Sequence, residues 1–178
     1  MSILPLAGKT VLLFAGPQYE DLELWYPKIR LEEAGARTVI AGLGDREYRG
    51  KHGYPVTVDV AVDQVGAKDF DALVIPGGYA PDKMRRSAAL LRVTREIFSA
   101  RKPVGFICHA GWVPISAKIL EGRKATSVAA IRDDMENAGC IWSDEPVVVD
   151  GNLISARTPA DLPDFMRALL AVLGAPRD

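Results

Sequence analysis

Four short, largely apolar runs, residues 10–15, 37–41, 71–75 and 103–107, alternate with segments whose apolar side chains recur at helical spacing. A strand with one wet face alternates apolar and polar residues, whereas a run apolar at nearly every position belongs to a strand covered on both faces. Such strands need helices above and below them, so the alternation predicts an α/β fold around a mainly parallel sheet. Residues 22–34 read as the first helix, broken by Gly35. Residues 87–100 read as another, with Leu90, Leu91, Thr94, Ile97 and Phe98 on the 3.6-residue period. At the end of the chain Thr158 is a candidate cap and Pro159 a first helical residue. Leu162, Phe165, Met166, Leu169, Leu170 and Leu173 then form one stripe before Gly174 ends the helix. Two hairpins are predicted as appendages to this core. One lies within 46–60 around Gly50-Lys51-His52-Gly53, and the other joins 147–149 to 153–155 through Asp150-Gly151.

The length of 178 residues suits one hydrophobic core, so residues 1–178 are read as a single domain. A net charge of -1 with 25% charged residues offers no basic excess for nucleic acid. The apolar start at 10–15 is too short to cross a bilayer or to act as a leader, and a cytoplasmic protein without membrane partners is expected. Cys108 and Cys140 are the only cysteines, too few for a disulfide framework or a thiolate metal site, and no metal is expected.

Ligand sites in open α/β sheets lie at the carboxyl ends of the strands. Three such ends carry unusual residues: Gly16-Pro17-Gln18-Tyr19-Glu20-Asp21, then Pro76-Gly77-Gly78-Tyr79-Ala80-Pro81-Asp82, then Cys108-His109. The apolar run that stops at Cys108 and resumes as an amphipathic segment through Ile119 and Leu120 has the pattern of a strand-to-helix nucleophile elbow. A helix start favours an anion, so this thiol is expected to tend toward thiolate. A small buried hydrophobe is the plainer alternative for Cys108, and it is the reading adopted for Cys140. His109 either bends back over the site as a base or sits exposed at a helix start. His52, in its glycine turn, reads as structural or exposed. Glu20, Asp21 and Glu23 crowd the first helix start, where carboxylates complement the helix dipole in any case. One of them, held in an apolar pocket, would have a raised pKa and serve as an acid; spacing does not select which. Gly77-Gly78 is either a turn or a backbone approach to an oxyanion, with the His109 N–H as a second donor. The glycine patterns of dinucleotide and phosphate loops are absent, and no cofactor is expected.

Tyr19-Glu20-Asp21-Leu22-Glu23-Leu24, Gly50-Lys51-His52-Gly53-Tyr54, Val74-Ile75-Pro76-Gly77-Gly78, Ile107-Cys108-His109, Ile131-Arg132-Asp133-Asp134-Met135 and Pro159-Ala160-Asp161-Leu162-Pro163 together resemble the ThiJ/PfpI family. The likeness is to its PfpI-type branch, within the class I glutamine amidotransferase-like superfamily. The resemblance implies a flavodoxin-like three-layer α/β/α sandwich with Cys108 as nucleophile and Glu20 as the acid bonded to the thiolate. It also implies assistance from His109 and oxyanion donors at Gly78 and the His109 backbone. The acid that partners the histidine, a glutamate from an adjacent subunit in that branch, falls here on Asp82, one methylene shorter. Ala110-Gly111 replaces the branch's frequent Gly-Pro, and Trp112 then either lines the pocket or packs as an ordinary helix residue.

The activity this resemblance implies is cofactor-independent cysteine catalysis on reactive carbonyls or glycation adducts, or on peptides and amides, by a homo-oligomer that is a dimer or a hexamer. The alternative is a stress-response protein whose Cys108 is oxidised without turnover.

Overall fold

A computed structural model of the chain describes residues 4–174. In chain order the elements are β1 (Thr10–Phe14), α1 (Asp21–Glu33), β2 (Arg37–Gly42), β3 (Glu47–Arg49), β4 (Pro55–Thr57), β5 (Val60–Ala61), β6 (Ala72–Ile75), α2 (Ala80–Met84) and α3 (Ala88–Ser99). There follow β7 (Val104–Ile107), α4 (Trp112–Ser116), β8 (Lys124–Ala125), α5 (Arg132–Asn137), β9 (Ile141–Trp142), β10 (Val147–Asp150), β11 (Leu153–Ala156) and α6 (Leu162–Gly174). Seven strands form one sheet in the order β10-β11-β7-β6-β1-β2-β5. Its pairs are parallel except β10 with β11. Every residue of β6 and β7 is buried, as their unbroken apolar character requires.

The chain steps from β1 outward to β2, then returns across β1 to lay down β6 and β7 on the other side. Right-handed crossovers in opposite directions put their helices on opposite faces. Accordingly α1 packs with α6 on one face while α3 covers β6 and β7 on the other, giving the three layers of a flavodoxin-like sandwich. The strand order reverses between β1 and β6, and a crevice opens at the carboxyl ends of strands there. The loops that carry Glu20, Gly77 and Cys108 leave β1, β6 and the adjacent β7 at this edge. Among the described residues, no helix is long and apolar enough to cross a membrane.

Three local expectations are corrected. The β3–β4 hairpin is an appendage, but the β10–β11 hairpin is not: all four residues of β11 are buried, and β11 pairs in parallel with β7 inside the main sheet. The amphipathic segment after Cys108 is not one helix reaching Leu120. A 3-10 turn over Cys108–Gly111 leads into α4, which stops at Ser116 before Lys118 takes a positive φ of 60°. Thr158 makes no side-chain cap, and a 3-10 turn at Pro159–Asp161 precedes α6. There Arg157 grips the Asp161 carboxylate through Nε and Nη2 at 3.1 and 3.2 Å.

Gly105 in β7 shows how closely α6 lies on the sheet, because a Cβ there would stand 2.9 Å from the Phe165 ring. Overpacking of this kind costs about 1–3 kcal/mol. Gly105→Ala is therefore expected to lower Tm by roughly 3–10 °C in a thermal melt, and Phe165→Leu in the same chain should recover part of the loss.

Candidate active site

The elbow is formed by backbone geometry. Ile107 ends β7 in an extended conformation, and Cys108 then adopts φ 61°, a left-handed conformation that costs a non-glycine residue about 1–2 kcal/mol. That reversal lifts the thiol out of the sheet and starts the tight Cys108–Gly111 turn. The same turn brings neighbouring side chains together, which a regular helix would not do. His109 Nδ1 lies 3.4 Å from Cys108 Sγ, so the imidazole bends back over the sulfur rather than standing free at a helix start.

The carboxyl beside the sulfur belongs to Glu23, not to Glu20. Glu23 is fully buried, and its Oε2 accepts the Gly77 N–H at 2.7 Å. The Cys108 thiol couples to the same carboxyl. It does so without the alignment of a formed hydrogen bond, for Oε1 is buried and has no such partner. Glu20 instead pairs with Lys51 at 2.8 Å and approaches His52 Nε2 at 3.5 Å. The reason is helical phase: Glu20 precedes α1 in an extended conformation, whereas Glu23 shares its buried stripe with Pro27 and Leu31.

Burial decides the protonation states. Loss of water around Glu23, opposed by the Gly77 N–H, raises its pKa to about 8. Burial and then the Glu23 charge raise Cys108 to about 12 against a lowering by the His109 backbone N–H. Burial thus acts against the expected thiolate: two neighbouring buried groups cannot both be anions, and at Cys108 desolvation opposes the elbow's N–H. His109 is shifted down, by burial first and the Lys51 charge second, so its ring is neutral near pH 7 and free to accept a proton.

Gly77 is a spacer. A Cβ there would meet Glu23 Oε2 at 2.6 Å and Cys108 Cβ at 3.0 Å, and its N–H is already given to Glu23, so the expectation that it donates to an oxyanion is corrected. Gly78, at φ 76°, has no room for a Cβ against Glu20 N at 2.4 Å. It lines a cavity of about 440 Å³ together with Pro17, Gln18, Tyr79, Asp82, Lys83, His109 and Trp112. Trp112 is a wall of this cavity, held by its Nε1–H to Asp134 at 2.8 Å and with the Arg85 guanidinium 5.5 Å from its ring. Asp82 also lines the cavity, but its carboxylate binds Arg86 of the same chain at 2.6 Å and not His109.

The β3–β4 turn closes over the start of α1. Asp21 accepts the N–H groups of His52 and Tyr54 at 2.9 and 3.0 Å, and a Cβ on Gly50 would collide with that carboxylate. This clamp sets Lys51 against Glu20, close enough for its charge to act on Cys108 and His109. Glu20, Asp21 and His52 lie within 4.8 Å of one another in the spacing of a cation site. Lys51 and the two N–H donors already occupy their carboxylates. Cys140 is buried in the core, as expected.

The DJ-1/PfpI family profile matches residues 9–172. A relative named Deglycase PfpI from Pyrococcus furiosus is 46% identical over 163 residues, covering 92% of this chain and 98% of that protein. General stress protein 18 of Bacillus subtilis is 43% identical over 169 residues, covering 93% of this chain and 98% of that one. Among solved structures, Drosophila melanogaster DJ-1beta superposes with a TM-score of 0.86 at 27% identity, covering 94% and 91% of the two chains.

Two outcomes test the Glu23–Cys108 pairing. Alkylation of Cys108 by iodoacetamide, followed by mass spectrometry at that peptide, should be slower at pH 8 than for an ordinary cysteine. Glu23→Gln should accelerate it about tenfold per pKa unit released, and Glu20→Gln should do so far less. A carboxyl whose pKa rises on folding contributes stability that is complete below its unfolded value of 4.5 and is lost as pH climbs through about 8. In melts from pH 5 to 9, Glu23→Gln should therefore remove a decline in Tm that the unmodified protein shows.

Proposed function

The chain belongs to the DJ-1/PfpI family, and on that premise we propose that it is a cysteine-nucleophile enzyme acting on reactive carbonyls or their adducts, with deglycase or glyoxalase-type chemistry. The observation that carries this reading is a neutral imidazole 3.4 Å from the Cys108 sulfur, beside a buried carboxyl with a raised pKa. The nucleophile is generated on demand: as the sulfur adds to an aldehyde carbon, its proton passes to His109 Nδ1. The carbonyl oxygen gathers charge near the Gly78 and His109 N–H groups, where Glu23, protonated below about pH 8, supplies a proton. With methylglyoxal the thiohemiacetal isomerises, its C–H proton moving through a base to the neighbouring carbon, and yields a thioester of lactate. Water then releases lactate and the thiol. One carbon is oxidised and its neighbour reduced, so no external electron carrier is consumed.

Amidase or peptidase chemistry would use the same addition to a carbonyl, but a cavity of about 440 Å³ favours small substrates. The redox-sensing alternative needs the oxidisable thiolate, a form that burial opposes at Cys108. Names of relatives support both sides, deglycase in one case and general stress protein in the other. For His109 to gain an acid partner, Asp82 of a second copy would have to leave Arg86. That arrangement requires a homo-oligomer, in the reducing cytoplasm where Cys108 stays free. A monomer by light scattering rules it out.

Purified protein is expected to convert methylglyoxal to lactate, with Cys108→Ala abolishing turnover and His109→Ala reducing it by about 10²–10⁴-fold. The pH profile of kcat/KM should be bell-shaped. It falls on the acid side as His109 protonates below its ordinary 6.5 and on the alkaline side near 8 as Glu23 ionises beside the sulfur. Glu23→Gln should abolish the alkaline limb; an alkaline limb unchanged in that variant would assign it to another group.

A further inference from the structure

The cavity beside the elbow has an uneven charge balance. Its acid, Asp82, is neutralised by Arg86 at 2.6 Å. Across the site Glu20 is neutralised by Lys51 at 2.8 Å. Arg85 is committed to the face of Trp112 and, through Nε, to Ser116 Oγ at 3.0 Å. Lys83 differs from all of these: it lines the cavity and is exposed, and among the described residues it makes no ion pair. The rest of the wall is Pro17, Gln18, Gly78, Tyr79, the neutral His109 and Trp112, none of which carries a charge. Trp112 is itself fixed from both sides, by Asp134 on its N–H and by Arg85 on its ring, and its ring centroid lies 5.4 Å from that of His109. A cation with no counter-ion among the described residues thus stands on the wall of a mainly apolar cavity that His109 also lines.

We infer that Lys83 is a specificity-determining residue, and that the cavity selects carbonyl substrates carrying an anionic group, a carboxylate or a phosphate, a few bonds from the reacting carbon. The inference rests on the carbonyl chemistry proposed above. In that slot the reacting carbon lies toward Cys108 and His109, the carbon chain runs along Trp112, and the anion meets the Lys83 ammonium. Free methylglyoxal has no such group and uses only part of the site. An exposed ion pair of this kind is modest, corresponding to a preference of about 1.5- to 5-fold, and it weakens with added salt.

The test compares the hemithioacetals that methylglyoxal forms with mercaptoethanol, mercaptopropionate and mercaptoethyl phosphate, which are neutral, carboxylate-bearing and phosphate-bearing. In the unmodified protein kcat/KM for either or both anionic adducts should exceed that for the neutral one by about 1.5- to 5-fold. The ratio should fall to about one in Lys83→Ala, invert in Lys83→Glu and be largely restored in Lys83→Arg. Comparing the carboxylate with the phosphate identifies which anion the site prefers. Titration calorimetry of the same three compounds into Cys108→Ala reads the charge preference without turnover. If no adduct is turned over, the proposed reaction fails, while the role of Lys83 is still decided by the binding ratios. Equal binding of charged and neutral adducts, or a ratio that Lys83→Ala leaves in place, overturns the inference.

Discussion

The site depends on the burial of one carboxyl. Glu23 enters the crevice from the first turn of α1, gives one oxygen to the Gly77 N–H, and leaves the other facing the elbow with no formed hydrogen bond. An ionised carboxylate is costly to hold away from water unless donors surround it, and here one backbone donor does not suffice. Its pKa is therefore raised to about 8. The requirements of its neighbours follow from this. Residue 77 must lack a side chain because Oε2 lies where a Cβ would go. The thiol must share a low-dielectric pocket with a carboxyl, and that burial pushes its own pKa up.

Local strain and close packing reinforce one another at this edge. Cys108 and Gln18 are non-glycine residues at φ 61° and 57°, and both lie on loops that leave buried strands. Their neighbours hold them there: Gln18 accepts the Tyr79 N–H and donates its own N–H to Arg49, tying the β1 loop to the β6 loop and to the hairpin. Tyr19, fully buried, donates its hydroxyl to the Tyr54 carbonyl and accepts the Trp25 indole N–H. The hairpin turn is thereby fastened at Asp21 and at Tyr19, and the ammonium of Lys51 becomes a fixed part of the site's electrostatics. A rigid constellation is the condition under which a neutral histidine and a protonated acid can be matched to one sulfur.

Much of the architecture is readable in the chain because buried parallel strands leave an unmistakable apolar signature, and the four such runs became β1, β2, β6 and β7. The Asp150-Gly151 turn was equally clear, but its place was not. Whether a hairpin hangs free or enters a sheet depends on which strand it finds, and β11 pairs with β7 across the long stretch of chain between them. The Cys108 elbow was likewise visible as an apolar run ending in Cys-His. Spacing leaves Glu20, Asp21 and Glu23 open and the family resemblance points to Glu20, whereas Glu23 lies beside the sulfur; the signal for it is an acid on the same buried helix face as Pro27 and Leu31. Lys51 lies in a glycine turn, and nothing in the linear order tells that this turn folds back over α1.

What the sequence determined by itself was the layering of the fold, the strand ends that carry chemistry, and the thiol at the elbow. These follow from short-range periodicity and from turn chemistry, both written in consecutive residues. What only the tertiary structure decided was the state of that thiol and the identity of its partner. Ionisation is set by how much water and which charges surround a group, and at Cys108 those come from α1, the β6 loop and the hairpin turn, segments that meet only when the sheet is assembled.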